Sequence, residues 1–147
     1  MKSFEAIPVL NKLLALLCRS LPAYLADARP WTRIGRQEIQ TLLDRLVADQ
    51  QRYARRVAEA ISRRGARPNP GRFPAEFTAK NDLALDFLFR EVVAHLEHDV
   101  AMIERCAAEL DTAPALHALA EEILGNARGH FEVLLEKLKE EGEKEEG

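Results

Sequence analysis

Apolar residues recur three and four positions apart in four long stretches of the chain, and nowhere do they alternate at period two over the length of a strand. The pattern predicts an all-α protein. The first stretch, about 9–28, places Leu10, Leu13, Leu14, Leu17, Leu21 and Tyr24 on one face. Pro22 is expected to bend it or tighten its last turn, because proline lacks a donor and crowds the carbonyl four residues back. A short link around Arg29, Pro30, Trp31 and Thr32 leads to a second helix, about 33–64, with Ile39, Leu43, Leu46, Val57 and Ile61 inward and Gly65 as its stop. The third, about 81–110, presents Leu85, Phe89, Val92, Leu96 and Ile103. A break at Asp111-Thr112-Ala113-Pro114 offers capping side chains and a proline suited to a first helical turn. The fourth helix, about 114–140, then carries Leu116, Ile123, Phe131, Leu134 and Leu138, and the acidic tail 141–147 is expected to fray.

Link lengths constrain topology. The first-to-second and third-to-fourth links span a few residues, which predicts two antiparallel hairpins. Segment 65–80, rich in proline and glycine, can reach roughly 50 Å when extended. That is enough to run the length of a bundle whose helices are roughly 45 Å long and to start the third helix parallel to the second. The expected architecture is a single-domain bundle of two hairpins joined by one long crossover. The alternative is a plain up-and-down bundle with this segment as a surface excursion.

Composition adds limits. The 147 residues are 47% apolar and 31% charged, the profile of one soluble, core-forming domain. Cys18 and Cys106 stand far apart without metal-ligand spacing, and both read as small buried hydrophobes. The longest apolar run, Leu13 to Cys18, is far too short to span a bilayer. Glu5, Asn11 and Lys12 would interrupt the apolar part of a signal peptide, so the expected location is the cytoplasm, with no membrane partner.

Three motifs carry a resemblance. They are Leu-Pro-x-Tyr-Leu at Leu21 to Leu25, Pro-Gly-x-Phe-Pro-x-x-Phe-Thr at Pro70 to Thr78, and Gly-Asn-Ala-Arg-Gly-His at Gly125 to His130. With the helix pattern they resemble the ferritin-like superfamily, and within it a group of small bacterial proteins with a degenerate dimetal site. The resemblance covers most of the chain and implies a ferritin-like four-helix bundle. The wider superfamily includes iron-storage proteins and rubrerythrin-like peroxidases and oxidases that hold a carboxylate-bridged metal pair in the bundle core.

That chemistry needs a Glu from each of two helices and a Glu-x-x-His from each of the other two. Carboxylates are required because two divalent ions in a low-dielectric core need anionic oxygens for charge compensation. On the second helix the corresponding pair reads Gln50-x-x-Tyr53, and on the fourth Ala127-x-x-His130. The inward line of the first helix is leucines plus Tyr24. On the third, the one acid near the apolar stripe is Asp99, with His95 at the stripe's edge. The dimetal site is therefore expected to be absent, and no cofactor is expected.

Gln50, Tyr53, Asp99 and His130 are expected to satisfy one another as a core polar network. A sharper possibility is a single zinc or iron ion on His130, Asp99 and His95, which would make the chain a metal-binding redox or iron-handling protein. Glu91, His95 and His98 line one side of the third helix and read as a solvated face, and His117 is given no role. Between Arg29 and Arg72 eleven arginines face four acids, whereas from Glu121 onward nine glutamates face four basic residues. Arg45, Arg52, Arg56 and Arg63 form one stripe beside the core face of the second helix. They are expected to border the acidic last helix or a second subunit, the alternative being an anion or nucleic-acid surface. Nucleic acid is not an expected partner, because the net charge is -3. The expectation is a structural or interaction protein, assembled as a homodimer or with a protein partner that the residues do not identify.

Overall fold

The computed structural model describes the backbone of residues 3–28, 37–80 and 85–146, and the side chains of 5–26, 37–78 and 87–142. The described residues form five α-helices, α1 (Ser3–Cys18), α2 (Leu21–Ala28), α3 (Gln37–Arg63), α4 (Leu85–Glu109) and α5 (Pro114–Glu146), with a 3-10 helix at Ala75–Lys80 and no strand. Among the described residues no helix is long and apolar enough to cross a membrane. The link at 29–36, the start of the third helix at 81–84 and the side chain of Leu85 lie outside the described residues.

The expected first helix is two helices. α1 starts at Ser3 and takes Pro8 into its interior. After Cys18 the chain breaks at Ser20, whose hydroxyl accepts the Ala23 N–H at 3.2 Å while its carbonyl accepts Tyr24 N–H at 3.1 Å. Ser20 is thus the N-cap of α2. Pro22 falls in the first turn of that helix, where a missing N–H breaks no ladder bond, so it bends nothing.

α3 shows the long amphipathic pattern, with Ile39, Leu43, Leu46, Val47, Gln50, Tyr53, Ala54, Val57 and Ile61 buried. It ends at Gly65, whose φ of 79° lies in the left-handed region. Gly65 N–H reaches the Ser62 carbonyl at 3.0 Å and Ala66 N–H the Ile61 carbonyl at 3.4 Å, the paired bonds of a Schellman ending. Pro114 opens α5, and its N-cap position is Ala113, whose carbonyl accepts His117 N–H. The side chains of Asp111 and Thr112 are therefore not the cap.

Two clusters make the core. One joins α1 to the C-terminal halves of α3 and α4 and the N-terminal half of α5, through residues such as Leu13, Val57, Cys106 and Ile123. The other joins α2 to the N-terminal halves of α3 and α4 and the C-terminal half of α5, through Leu25, Leu43, Phe89 and Leu134. Polar pairs between α3 and α5 run in inverse order, Glu38 with Lys137, Asp49 with His130 and Arg56 with Glu122.

The segment after Gly65 is anchored along the first two helices. Asn69 N–H donates to Asn11 Oδ1 at 2.8 Å, and Arg19 Nε donates to the Gly71 carbonyl at 2.8 Å. Phe73 packs edge-on against Tyr24, and Phe77 is buried in the second cluster. At the other end, α5 continues helically as far as Glu146, into the segment expected to fray. Lys137 is buried there and meets Glu38, Glu140 and Glu141, so part of the acidic run has a cation to lean on.

Candidate functional site

The densest polar convergence lies between α3 and α5, around Asp49. His130 Nε2 donates to Asp49 Oδ2 at 2.7 Å, Asn126 Nδ2 donates to the same oxygen at 2.9 Å, and Arg52 Nη2 donates to Oδ1 at 3.3 Å. Asn126 and His130 are four residues apart on α5, so one helical turn presents both to one carboxylate. Burial alone would raise the Asp49 carboxyl. The hydrogen bonds from Asn126 and His130, the His130 charge and Arg52 together outweigh it and hold the group below its ordinary value. Sequence reasoning missed Asp49 and Asn126. The available signal was the Asn126 and His130 spacing, which needs an acceptor on a facing helix.

Gln50 and Tyr53 are buried on the inward line of α3, yet they do not meet Asp99 or His130. Gln50 Oε1 accepts the Ser20 hydroxyl at 3.0 Å, which ties α3 to the α1–α2 break. The Tyr53 phenol is raised by burial and by the nearby Glu122 carboxylate, and the Arg52 and Arg56 guanidiniums lie over its ring. Glu122 is held low chiefly by the hydrogen bond from Arg56 and then by the nearby Tyr53 phenol. In place of the expected four-residue network there are two separate pairings, Gln50 with Ser20 and His130 with Asp49, each to a residue on a different element. Periodicity within one helix cannot specify such pairings, because they depend on how neighbouring helices are rotated and aligned.

Asp99 stands alone. It is half-buried on α4 and makes no hydrogen bond or ion pair with the described residues. Burial pushes its carboxyl up to about 6, with His98 pulling weakly the other way. His95 lies 3.8 Å from Glu91 and edge-on to the Phe77 ring, whereas His98 is exposed. His130 and His95 thus face different partners while Asp99 has none among the described residues, which contain no group of three His, Cys, Asp or Glu side chains converging as metal ligands. His117, given no role from sequence, donates from Nδ1 to the Ala107 carbonyl at 2.8 Å and so links α5 to the end of α4.

The donor set for a carboxylate-bridged metal pair does not fit these residues. The four positions on α3 and α5 where its ligands would stand hold an amide bonded to Ser20, the buried phenol of Tyr53, the methyl group of Ala127 and an imidazole bonded to Asp49. Within the arginine stripe, Arg56 reaches α5 through Glu122, Arg52 and Arg63 pair within α3 with Asp49 and Glu59, and Arg45 is exposed. Cys106 is fully buried, and its thiol is pushed by burial up to about 11. Cys18 is free and only half-buried, more open than expected. No protein-family model matches the chain, and no curated protein matches it.

Proposed function

We propose that this chain is a ferritin-like four-helix bundle without dinuclear metal chemistry, in which α1 and α2 together fill the place of the first helix, and that it works as a structural or interaction protein. The inverse order of the α3–α5 pairs supports the bundle topology. In a plain up-and-down bundle those two helices would run in the same direction, and Glu38 could not sit by Lys137 while Arg56 sits by Glu122. The sharing of one cluster by the C-terminal halves of α3 and α4 supports it too, as does a connecting segment held first by Asn11, then by Arg19, then by Tyr24.

One observation carries the functional reading: on the inward faces of α3 and α5, Gln50 is tied through its amide oxygen to Ser20 and His130 to Asp49, and the ligand positions are short of carboxylates. Elemental analysis of protein purified without chelator tests it, with metal expected well below one ion per chain. A content of about two iron or manganese ions per chain, the stoichiometry of the dinuclear site, overturns the reading. A homodimer in the cytoplasm is the proposed setting. Light scattering reports the mass of the assembly directly.

A further inference from the structure

Most arginines of α3 in the described residues have an acidic partner, but Arg55 makes no hydrogen bond or ion pair with any described residue. It stands on the rim of a cleft of about 510 Å³ between the α1–α2 break and α3. That volume lies in the range of small-molecule sites. The floor is apolar, built from Leu17, Val47 and Ala54 with Phe73 at one side. Its charged lining is Arg55 and Arg19, and among the described residues no aspartate or glutamate lines it. Arg19 is fixed by its bond to the Gly71 carbonyl and by stacking 5.0 Å over Phe73, and it too lacks an acidic partner among the described residues.

Gln50 adds the second observation. It also lines the cleft and is only 7% exposed. Its amide oxygen is taken by Ser20, and its nitrogen bonds no described residue. No fully buried polar side-chain atom lacks a partner in the described residues, so that nitrogen is reached from outside. The cleft supplies the opening. Cys18, at the same wall, has its thiol raised by burial against a weaker pull from Arg19, so it remains protonated and adds no negative charge. The lining thus offers two guanidiniums and a buried amide donor over a hydrocarbon floor.

We propose that this cleft binds an amphipathic monocarboxylate, its carboxylate accepting from the Gln50 amide and the Arg55 guanidinium while its hydrocarbon lies on Leu17, Val47 and Ala54. A guanidinium and a primary amide both suit a carboxylate, and the apolar floor selects against a fully hydrated inorganic anion. This assignment does not rest on the ferritin-like reading, since metal content and carboxylate binding are measured on separate samples and each can fail alone.

Calorimetric titration of the full chain with sodium octanoate, below its micellar range, is the test. Maleimide labelling of Cys18 gives an independent report, because Cys106 is fully buried. Saturable binding of one octanoate per chain is expected, with slowed labelling of Cys18. Affinity for 1-octanol and for inorganic phosphate should be weaker by about tenfold or more, and Arg55→Gln should weaken octanoate by about tenfold. Arg55 is exposed, so its variant should keep the parent's circular dichroism and melting temperature. Octanoate heats that do not saturate, equal affinity for octanol, or undiminished binding by folded Arg55→Gln would each overturn the proposal.

Discussion

Asp99 and Asp49 are both partly buried carboxylates, and their surroundings move them in opposite directions. Asp99 has no donor among the described residues to hold its charge, and its folded value of about 6 exceeds the ordinary 3.8. The folded chain therefore prefers the protonated form. Its contribution is most favourable at acid pH, declines as pH rises from about 3.8 to about 6 and stays low above that. Asp99→Asn should accordingly stabilise the protein at pH 7.5 by on the order of 1–2 kcal/mol, after discounting for solvent reaching the site. The gain should vanish near pH 4. Urea midpoints at the two pH values check this, and an equal shift at both would show that charge is not the cause. Asp49 has the reverse sign: its stabilisation is present above the unfolded value of 3.8 and is lost as pH falls through its lower folded value.

Helix ends and glycines set the matter at the scale of the element. Gly65 holds its left-handed φ with nothing within 4 Å of where a Cβ would stand, so Gly65→Ala introduces backbone strain without a clash. A loss of about 1 kcal/mol is expected, lowering the melting temperature by a few degrees. Gly125 and Gly129 of α5 have equally open surroundings but no left-handed backbone. Alanine at either should raise the melting temperature, by about 0.5–1 kcal/mol of helix propensity each. Thermal melts of the three variants compare like with like, and a common sign would refute the conformational argument.

The same scale shows what periodicity could and could not reveal. The apolar faces of α3, α4 and α5 were legible because a 3.6-residue repeat needs only local sequence, and Gly65 was legible because few residues tolerate its φ. The break at Ser20 was not, since Leu21-Pro22 reads equally well as a bend inside one helix or as the first turn of another. The Asp49 clip was hidden for a different reason: Asp49 lies beside the inward line, and only the register of α5 against α3 brings Asn126 and His130 to it.

Across the whole molecule the small net charge of -3 conceals two opposed blocks that meet inside one chain. Arg56 on the basic helix reaches Glu122 on the acidic one, and Lys137 reaches back to Glu38. Each core cluster also draws on helices from both sides of the long connection. Neither side can bury its apolar face alone. That connection exposes Arg72, and Phe73 follows it, a bond that trypsin favours. Cleavage there should give pieces 1–72 and 73–147 that remain together through size-exclusion chromatography and separate only in denaturant. Elution of free fragments under native conditions would contradict this. Expressed as separate chains, the same halves should each be unstructured and should recover helical circular dichroism on mixing, which would make this bundle a split protein whose folding is itself the signal that two fused partners have met.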